Sequence, residues 1–259
     1  MSKEFPYEIP ILYEDNDYIV VNKPAGLMVH ADGRNEGPFL TDWVVARYPE
    51  TADVGEPIRT PEGETIVRPG IVHRLDRETS GAIVVAKNAA AHAALKQQFK
   101  DRDVAKKYVA FVWGELKEEF GTITRPIGRS SGDFRRWSAQ PGARGEIREA
   151  ETYWTRLWTG KAEVMKEGQP VLEKFTLVEA EPKTGRTHQI RVHFQATHHP
   201  VVGDQLYAPG RPPALGFART ALHSGAIEFT DLHGKTIKVK APLPADFIAA
   251  FGALGIKIS

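Results

Sequence analysis

The stretch from Val72 to Gly81 holds the residues best suited to chemistry, and it reads Val-His-Arg-Leu-Asp-Arg-Glu-Thr-Ser-Gly. A carboxylate beside arginines stays ionised and can be oriented, as a nucleophile or a stabiliser of positive charge requires. The alternative is a solvated surface loop, since charged residues are usually exposed. Leu75 inside the charged run and Gly81 before an apolar run favour a loop with one side against a core. Asp76 and Glu78 are therefore candidate reactive carboxylates.

A second candidate for function is the arginine-rich segment from Ile123 to Arg148. It has six arginines against two acids, a local excess of +4, together with Phe134, Trp137, four glycines and two prolines. This composition predicts a long flexible loop whose arginines contact phosphates and whose aromatic rings stack on bases. A solvated hairpin is the alternative. The six arginines are Arg125, Arg129, Arg135, Arg136, Arg144 and Arg148.

The sequence contains no motif for binding a metal or a cofactor, and we expect neither. The chain has no cysteine, which excludes disulfides, thiolate metal sites and cysteine nucleophiles. His188 and His193 are five residues apart, unlike the i, i+4 pair of metal-binding helices, and we interpret both as hydrogen-bonded structural residues. The Gly-Arg-Thr sequence that precedes His188 is suited to bind an anion at a helix N-terminus.

Hydrophobic periodicity and turn residues predict the elements that position these groups. Helices are predicted over 40–48 with Thr41 as N-cap, over 89–101, over 188–196 and after Pro244. Residues 50–70 are predicted to form an exposed insertion loop, and Asp231 to Gly234 a hairpin turn. The predicted strands cover 9–14, 18–23, 82–87, 104–113, 152–157, 172–180, 219–224, 226–230 and 236–240.

The predicted fold class is α+β, with residues 1–259 forming one domain around a mixed, mainly antiparallel sheet flanked by helices. The length of 259 residues, with 41% hydrophobic and 26% charged residues, suits a globular protein. No apolar run of ~18 residues and no signal peptide are present, so we expect a cytoplasmic protein without a membrane segment. The net charge of +1 does not by itself indicate a nucleic-acid partner. We further expect a monomer.

Several motifs follow one another along the chain in a characteristic order. His-Arg-Leu-Asp at 73–76 followed by Glu-Thr-Ser-Gly at 78–81 resembles the signature of the RluA-type family of pseudouridine synthases. Asn-Lys-Pro-Ala-Gly at 22–26 and Lys-Tyr-Val-Ala at 107–110 resemble its early turn and its tyrosine strand. The arginine motif matches at 184–193, and the segments 199–204 and 222–224 follow in the family's order. His73 distinguishes the chain from RsuA-type enzymes, which have glycine there. Longer relatives often carry a small RNA-binding domain before the catalytic one, and we expect it to be absent here.

The resemblance implies an enzyme that isomerises uridines of tRNA or rRNA to pseudouridine, in a catalytic domain with long RNA-binding loops. It assigns Asp76 as the essential carboxylate, which attacks C1′ or stabilises an oxocarbenium-like centre; the sequence does not choose between the two. Arg191 matches the family's partner of the aspartate, and Tyr108 matches the tyrosine placed against the uracil. Glu78 is expected to be structural.

RNA is thus the expected partner, and the target uridine must leave its stack to be reached. Arg74 matches a residue that fills the space of the flipped base in some relatives. Two other functions need to be weighed against the residues. A glycoside hydrolase would need two carboxylates about 5–9 Å apart, which residues two apart in a short loop do not favour. A catalytically inactive RNA-binding module would not need Asp76, Tyr108 and Arg191 together. The remaining expected RNA contacts are Arg129, Arg135, Arg136 and Arg186.

Overall fold

The computed structural model describes residues 5–31, 33, 35–59, 63 and 65–257. The chain forms two compact units, one from Met1–Ala105 with Ser224–Pro242 and the other from Lys106–His223 with Leu243–Ser259. None of the helices within the described ranges is long and apolar enough to cross a membrane.

The structure contains the following elements. The helices are α1 Leu40–Arg47, α2 Ala89–Asp101, α3 Gln189–Ala196 and α4 Ala245–Leu254, with a short 3-10 helix at Pro49–Thr51. The first strands are β1 Ile11–Glu14, β2 Tyr18–Lys23, β3 Ile58–Arg59, β4 Thr65–Ile66, β5 Ser80–Ala86, β6 Ala105–Trp113 and β7 Phe120–Ile123. The later strands are β8 Ile127–Arg129, β9 Trp137–Ser138, β10 Arg144–Arg148, β11 Thr152–Lys166, β12 Gln169–Pro182, β13 Leu222–Thr230 and β14 Thr236–Lys240.

Among the described residues, the strands of the first unit lie in the order β1-β2-β5-β13, with β14 paired to β13, and those of the second unit lie in the order β6-β12-β11-β7. The pairs β1–β2, β2–β5, β6–β12, β11–β12, β7–β11 and β13–β14 are antiparallel. The predicted α+β fold with a mainly antiparallel sheet is therefore confirmed.

In the first unit, the core forms around β5, whose seven residues are all buried. The apolar face of α2 contributes Ala91 and Leu95 to the same cluster, as the helical spacing predicted. The Asn88 side chain accepts a hydrogen bond from the Ala91 N–H at 2.9 Å and caps the helix. This packing fixes the strand that directly follows the Asp76 segment.

Two predictions in the first unit were wrong. Phe39, not Thr41, is the N-cap of α1, and the Asp42 carboxylate accepts a hydrogen bond from the Phe39 N–H at 2.9 Å. The segment 50–70 is only partly an exposed loop, because β3 pairs with β4 and because Val54 and Ile66 are buried. The sequence pattern missed both because each belongs to an apolar run of no more than two residues. Residues 60–62 and 64 of this segment lie outside the described part of the chain.

In the second unit, β11 and β12 form a hairpin that is much longer than predicted. Their register runs from Thr152 opposite Pro182 to Lys166 opposite Gln169. Outside this hairpin, the strand β13, most of which belongs to the first unit, is continuous over Leu222–Thr230, where the sequence predicted two shorter strands. Gly225 is accommodated inside this strand, so the glycine is not a break.

The arginine-rich segment is an ordered structure, and the prediction of a long flexible loop was wrong. Its strands form a separate antiparallel sheet in the order β10-β8-β9, which we call the basic sheet. Ile127 and Ala139 are buried in one cluster with Val192 and Ala196 of α3. The segment folds because these few apolar residues pack against a helix that lies far along the chain.

Candidate active site

Asp76 lies half-buried in a tight turn in which its own carbonyl accepts a hydrogen bond from the Thr79 N–H at 3.1 Å. Leu75, which precedes Asp76, and Thr79, which follows it in the turn, are both buried. Gly81 ends the turn with φ +113°, and a Cβ there would lie 2.2 Å from the Ser224 carbonyl oxygen. Only glycine allows so close an approach of two backbones. The predicted roles of Leu75 and Gly81 in shaping this segment are confirmed.

Lys23 supports this turn through hydrogen bonds to backbone carbonyls, a role that the sequence reasoning did not identify. Its side chain is fully buried, and Nζ donates hydrogen bonds to the carbonyls of Pro24 at 2.8 Å, Leu27 at 2.8 Å and Arg77 at 3.1 Å. The Gly26 N–H donates to the Arg77 carbonyl at 2.8 Å, and Arg77 Nε donates to the Gly26 carbonyl at 3.1 Å. The signal was present in the Asn-Lys-Pro-Ala-Gly motif. These bonds fix the backbone of the residue that follows Asp76.

His73 is a structural residue. Its Nε2 accepts a hydrogen bond from the Val84 N–H at 3.1 Å, so this nitrogen carries no proton. The ring is stacked on Phe99, with centroids 4.7 Å apart and an interplanar angle of 23°. His73 therefore contributes no positive charge to the Asp76 segment in this state. The exposed cations of the segment are Arg74 and Arg77.

Tyr108 belongs to the second unit, where it is buried in β6 opposite Ala180 of β12. Lys106 lies on the same face of β6, because side chains alternate along a strand. Burial, and secondarily the charge of Lys183, lower the pKa of Lys106 to about 8. Tyr108 thus stands beside an amine that loses its proton far more readily than a surface lysine.

Arg191 lies in α3 with 8% of its surface exposed, and its guanidinium forms a two-pronged ion pair with Asp204. Nε donates to Oδ2 at 2.7 Å and an Nη donates to Oδ1 at 2.9 Å. Asp204 Oδ1 also accepts the N–H groups of Leu206 and Tyr207, each at 3.0 Å. The sequence reasoning missed Asp204 as a functional residue, although it ends a motif similar to the family's. This carboxylate sets the orientation of the Arg191 side chain.

The start of α3 is organised by Gln189. Its Oε1 accepts hydrogen bonds from the Thr184 hydroxyl at 2.6 Å and from the Arg186 N–H at 3.0 Å. Arg186 Nε donates to the Glu149 carbonyl at 3.0 Å. His188 is the N-cap, in the left-handed region at φ 55°, so the helix begins one residue later than predicted. Anion binding at this N-terminus stays a prediction.

His193 is fully buried, and its predicted structural role is confirmed. Its Nδ1 lies 2.9 Å from the Thr152 hydroxyl and its Nε2 lies 2.9 Å from the Arg125 carbonyl. Since a carbonyl only accepts, Nε2 carries the proton of a neutral ring. Burial is the main cause that lowers the pKa of His193 below its usual value.

This buried imidazole predicts a pH dependence of stability. Because the folded-state pKa is below the unfolded value of about 6.5, the unfolded chain binds more protons as the pH falls below 6.5, and folding weakens there. His193→Gln should lose less stability between pH 7 and pH 5 than the wild type does. Urea midpoints at both pH values measure this difference, with the exposed His233→Gln as control. Equal losses in His193→Gln and the wild type would contradict the prediction.

The other arginines predicted to contact RNA differ in exposure and in the ion pairs that they already make. Arg129 is exposed, and its guanidinium lies 4.1 Å from the centroid of the Trp137 ring. Arg135 and Arg136 both pair with Asp133, at 2.8 Å and 3.4 Å. The hydrogen bonds of Arg135 are the main cause that lowers the pKa of Asp133 to about 2. Part of the positive charge expected of this segment is thus neutralised within it.

Comparisons with known proteins identify relatives of this chain. The family model for RNA pseudouridylate synthase matches residues 17–196. An uncharacterized RNA pseudouridine synthase of Synechocystis is 36% identical over 92% of this chain and 67% of its own length. Ribosomal large subunit pseudouridine synthase D of Xanthomonas campestris is 35% identical over 96% of this chain and 71% of its own. The structure of human RNA pseudouridylate synthase domain containing 1 superposes with a TM-score of 0.67, at 28% identity, over 94% of this chain and 87% of that one.

The fold and the matched region, which includes Asp76, Tyr108 and Arg191, define an RNA-modifying isomerase. The chain belongs to the RluA-type family of RNA pseudouridine synthases. Its substrate is RNA, in which it converts uridine to pseudouridine. A glycoside hydrolase and an inactive RNA-binding module are therefore not the function of this chain.

Proposed function

We propose that this enzyme isomerises uridine in the RNA of the large ribosomal subunit, with Asp76 as its essential carboxylate. The observation that carries the catalytic assignment is the Asp76 turn, whose backbone is fixed by Lys23 and Gly26 while the carboxylate stays half-exposed. The target class rests on the likeness to ribosomal large subunit pseudouridine synthase D over 96% of the chain. Transfer RNA is the other substrate class that the sequence suggested.

In the proposed reaction, the bond from N1 to C1′ breaks, the uracil turns, and C1′ bonds to C5, which then loses its proton. Asp76 either attacks C1′ or stabilises the positive charge that develops on the sugar. Tyr108 packs against the uracil and relays the C5 proton. A neighbouring amine of lowered pKa, such as that of Lys106, assists such a transfer, since a proton moves most easily between groups of similar pKa.

Arg191 is the cation that keeps Asp76 ionised during this reaction. A guanidinium suits this task because it stays charged at any working pH and offers its N–H groups in a rigid plane. The ion pair with Asp204 uses Nε and one Nη of Arg191. Asp204 is thus a positioning residue, and Arg191 the group that acts.

The substrate experiment uses RNA labelled with tritium at uridine C5, prepared from host cells that lack this gene. Because the C5 proton leaves as water, each isomerisation releases one tritium. We expect release from large-subunit rRNA and none from small-subunit rRNA or tRNA, and mapping should place the new pseudouridine in the large-subunit RNA. Release confined to tRNA would contradict the ribosomal proposal while leaving the enzyme class intact.

The basic sheet, together with the turn between β8 and β9, is the proposed RNA clamp, and the arginines of that turn predict a change in salt dependence. Replacing both Arg135 and Arg136 by alanine should weaken RNA binding and reduce the slope of log K against log salt by about 1.4–1.8, since each of the two lost phosphate contacts contributes about 0.7–0.9. Asp133→Asn is the matched control: it removes the acid that pairs with both arginines and should strengthen binding. Binding of labelled RNA between 50 and 200 mM salt, about the range in which such contacts respond, measures both effects. An unchanged slope in the double variant would show that the clamp lies elsewhere.

A further inference from the structure

The second unit contains a surface cavity of about 350 Å³ that the proposed reaction does not use. It lies at the C-terminal end of α3, where Gln195 and His198 face the segment from Tyr207 to Arg211. Most of its lining follows residue 196, where the match to the family model ends. Its volume is at the lower end of the range of about 300–1,000 Å³ for ligand sites, which suits one nucleotide and no longer piece of RNA.

Three polar side chains in the lining are available to a ligand. Gln195, His198 and Arg211 line the cavity, and their side chains make no hydrogen bond or ion pair with any residue that the structure describes. Together they offer an amide, an imidazole and a guanidinium. A cavity with several convergent polar groups of this kind is typical of a binding site.

Arg211 is held in place without the use of its donors. Its guanidinium lies 4.9 Å from the centroid of the Trp113 ring, and that ring is buried. The Arg211 N–H also bonds to the Ala208 carbonyl at 3.0 Å, which fixes the backbone. A cation–π contact orients a guanidinium while its N–H groups stay directed at the surroundings. An arginine oriented in this way can bind a phosphate through its N–H groups.

The cavity adjoins the basic sheet. Tyr207 lines it, and the Tyr207 hydroxyl accepts a hydrogen bond from the Trp137 N–H at 3.0 Å. Arg125 donates to the Ala196 carbonyl at 2.8 Å, beside Gln195. This bond offsets the partial negative charge that the end of a helix presents, which would otherwise disfavour an anion nearby. RNA that contacts the basic sheet therefore lies next to the cavity.

We propose that the cavity binds one nucleotide of the substrate RNA other than the isomerised uridine. Its phosphate lies on Arg211 and His198, and the Gln195 amide bonds the edge of its base. The proposal rests on the RNA substrate of this enzyme, and it adds a second point at which the RNA is held. It predicts that the enzyme selects its target partly through a neighbouring nucleotide.

The test measures binding of the large-subunit RNA to Arg211→Gln and Gln195→Ala, each combined with Asp76→Asn so that no turnover occurs. Arg211→Gln should weaken binding about 5- to 20-fold and lower the salt slope by about 0.7–0.9, as loss of one phosphate contact does. Gln195→Ala should weaken binding about 3- to 10-fold without a change in slope, since no charge is lost. Lys100→Gln, an equal charge change at an exposed site on α2, should alter neither quantity.

The outcomes separate this proposal from the choice of substrate. If Arg211→Gln and Gln195→Ala both bind like Lys100→Gln, the cavity holds no nucleotide of the RNA. If free uridine or adenosine monophosphate saturates the cavity at micromolar concentration and RNA does not compete, the ligand is a free nucleotide and the proposal is overturned. Tritium release by the unmodified enzyme is measured separately. Failure of the ribosomal substrate assignment can therefore be told apart from failure of the cavity proposal.

Discussion

Asp76→Asn should reduce tritium release from RNA by about 10⁴-fold or more, the scale of loss when a group central to the chemistry is removed. An amide has nearly the shape of a carboxylate, but it is a poor nucleophile and carries no charge to stabilise a cationic sugar. Both chemical routes at C1′ need the charge, so the loss is expected whichever route the enzyme uses. Single-turnover release with enzyme in excess measures it directly.

The structure provides a matched control for this substitution. Glu78 is an exposed carboxylate two residues along the same turn, and Glu78→Gln should change the rate by less than about fivefold. Thermal unfolding of both variants should remain close to that of the wild type, because Asp76 and Glu78 both reach solvent. If Asp76→Asn retained a tenth of the wild-type rate, or if Glu78→Gln lost as much as Asp76→Asn, the assignment of Asp76 would be wrong.

Asp204→Asn should destabilise the protein by about 3–5 kcal/mol, since it leaves a buried guanidinium without its counter-charge. Asp204 is fully buried, and it accepts both the Arg191 donors and two backbone N–H groups. Asparagine offers only one acceptor oxygen to these donors, and its NH₂ group would face the remaining donors unfavourably. Urea unfolding at pH 7 measures the change.

A second ion pair of similar geometry serves as the control. Arg219 and Asp246 are joined by two hydrogen bonds of 2.7 and 3.1 Å, but the Asp246 side chain is 26% exposed. Asp246→Asn should therefore lower the free energy of unfolding by about 1 kcal/mol, since water can solvate the Arg219 guanidinium that loses its partner. A cost for Asp204→Asn no larger than that for Asp246→Asn would contradict the structural role of the buried pair.

The same variant tests whether Asp204 positions Arg191 for catalysis. Under conditions where Asp204→Asn is still folded, its single-turnover rate should fall, because Arg191 can then take orientations that no longer serve Asp76. Arg191→Met combined with Asp204→Leu should recover part of the stability, since both charges are gone. It should recover none of the activity. Recovery of activity in the double variant would show that the pair is structural only.

Lys23 takes no part in the proposed chemistry, but its hydrogen bonds support the turn that carries Asp76. A buried ammonium is tolerated only when its donors are satisfied, and all three donors of Lys23 meet backbone carbonyls. The cost of burying the charge is thereby offset by bonds that fix the turn after Asp76. Rigid support of this kind is what keeps a reactive group in its productive geometry.

Sequence alone determined the features that depend on neighbouring residues. The apolar run of β5, the periodicity of α2 and the turn at 231–234 each reflect local preferences, and the structure confirms all three. The motifs around Asp76, Tyr108 and Arg191 identified the family, because chemistry restricts residue types at a few positions. The comparisons bear out that identification.

Tertiary structure alone decided the features that depend on distant residues. The basic sheet is ordered by packing against α3, more than 40 residues further along the chain, and local composition could only indicate a flexible loop. The buried partners of Lys23 and Arg191 are backbone carbonyls and a carboxylate whose roles no spacing rule reveals. The cavity beside Arg211 likewise exists only because the end of α3 and the segment after Tyr207 meet. Periodicity records which face of an element is buried, but it does not record what that face is buried against.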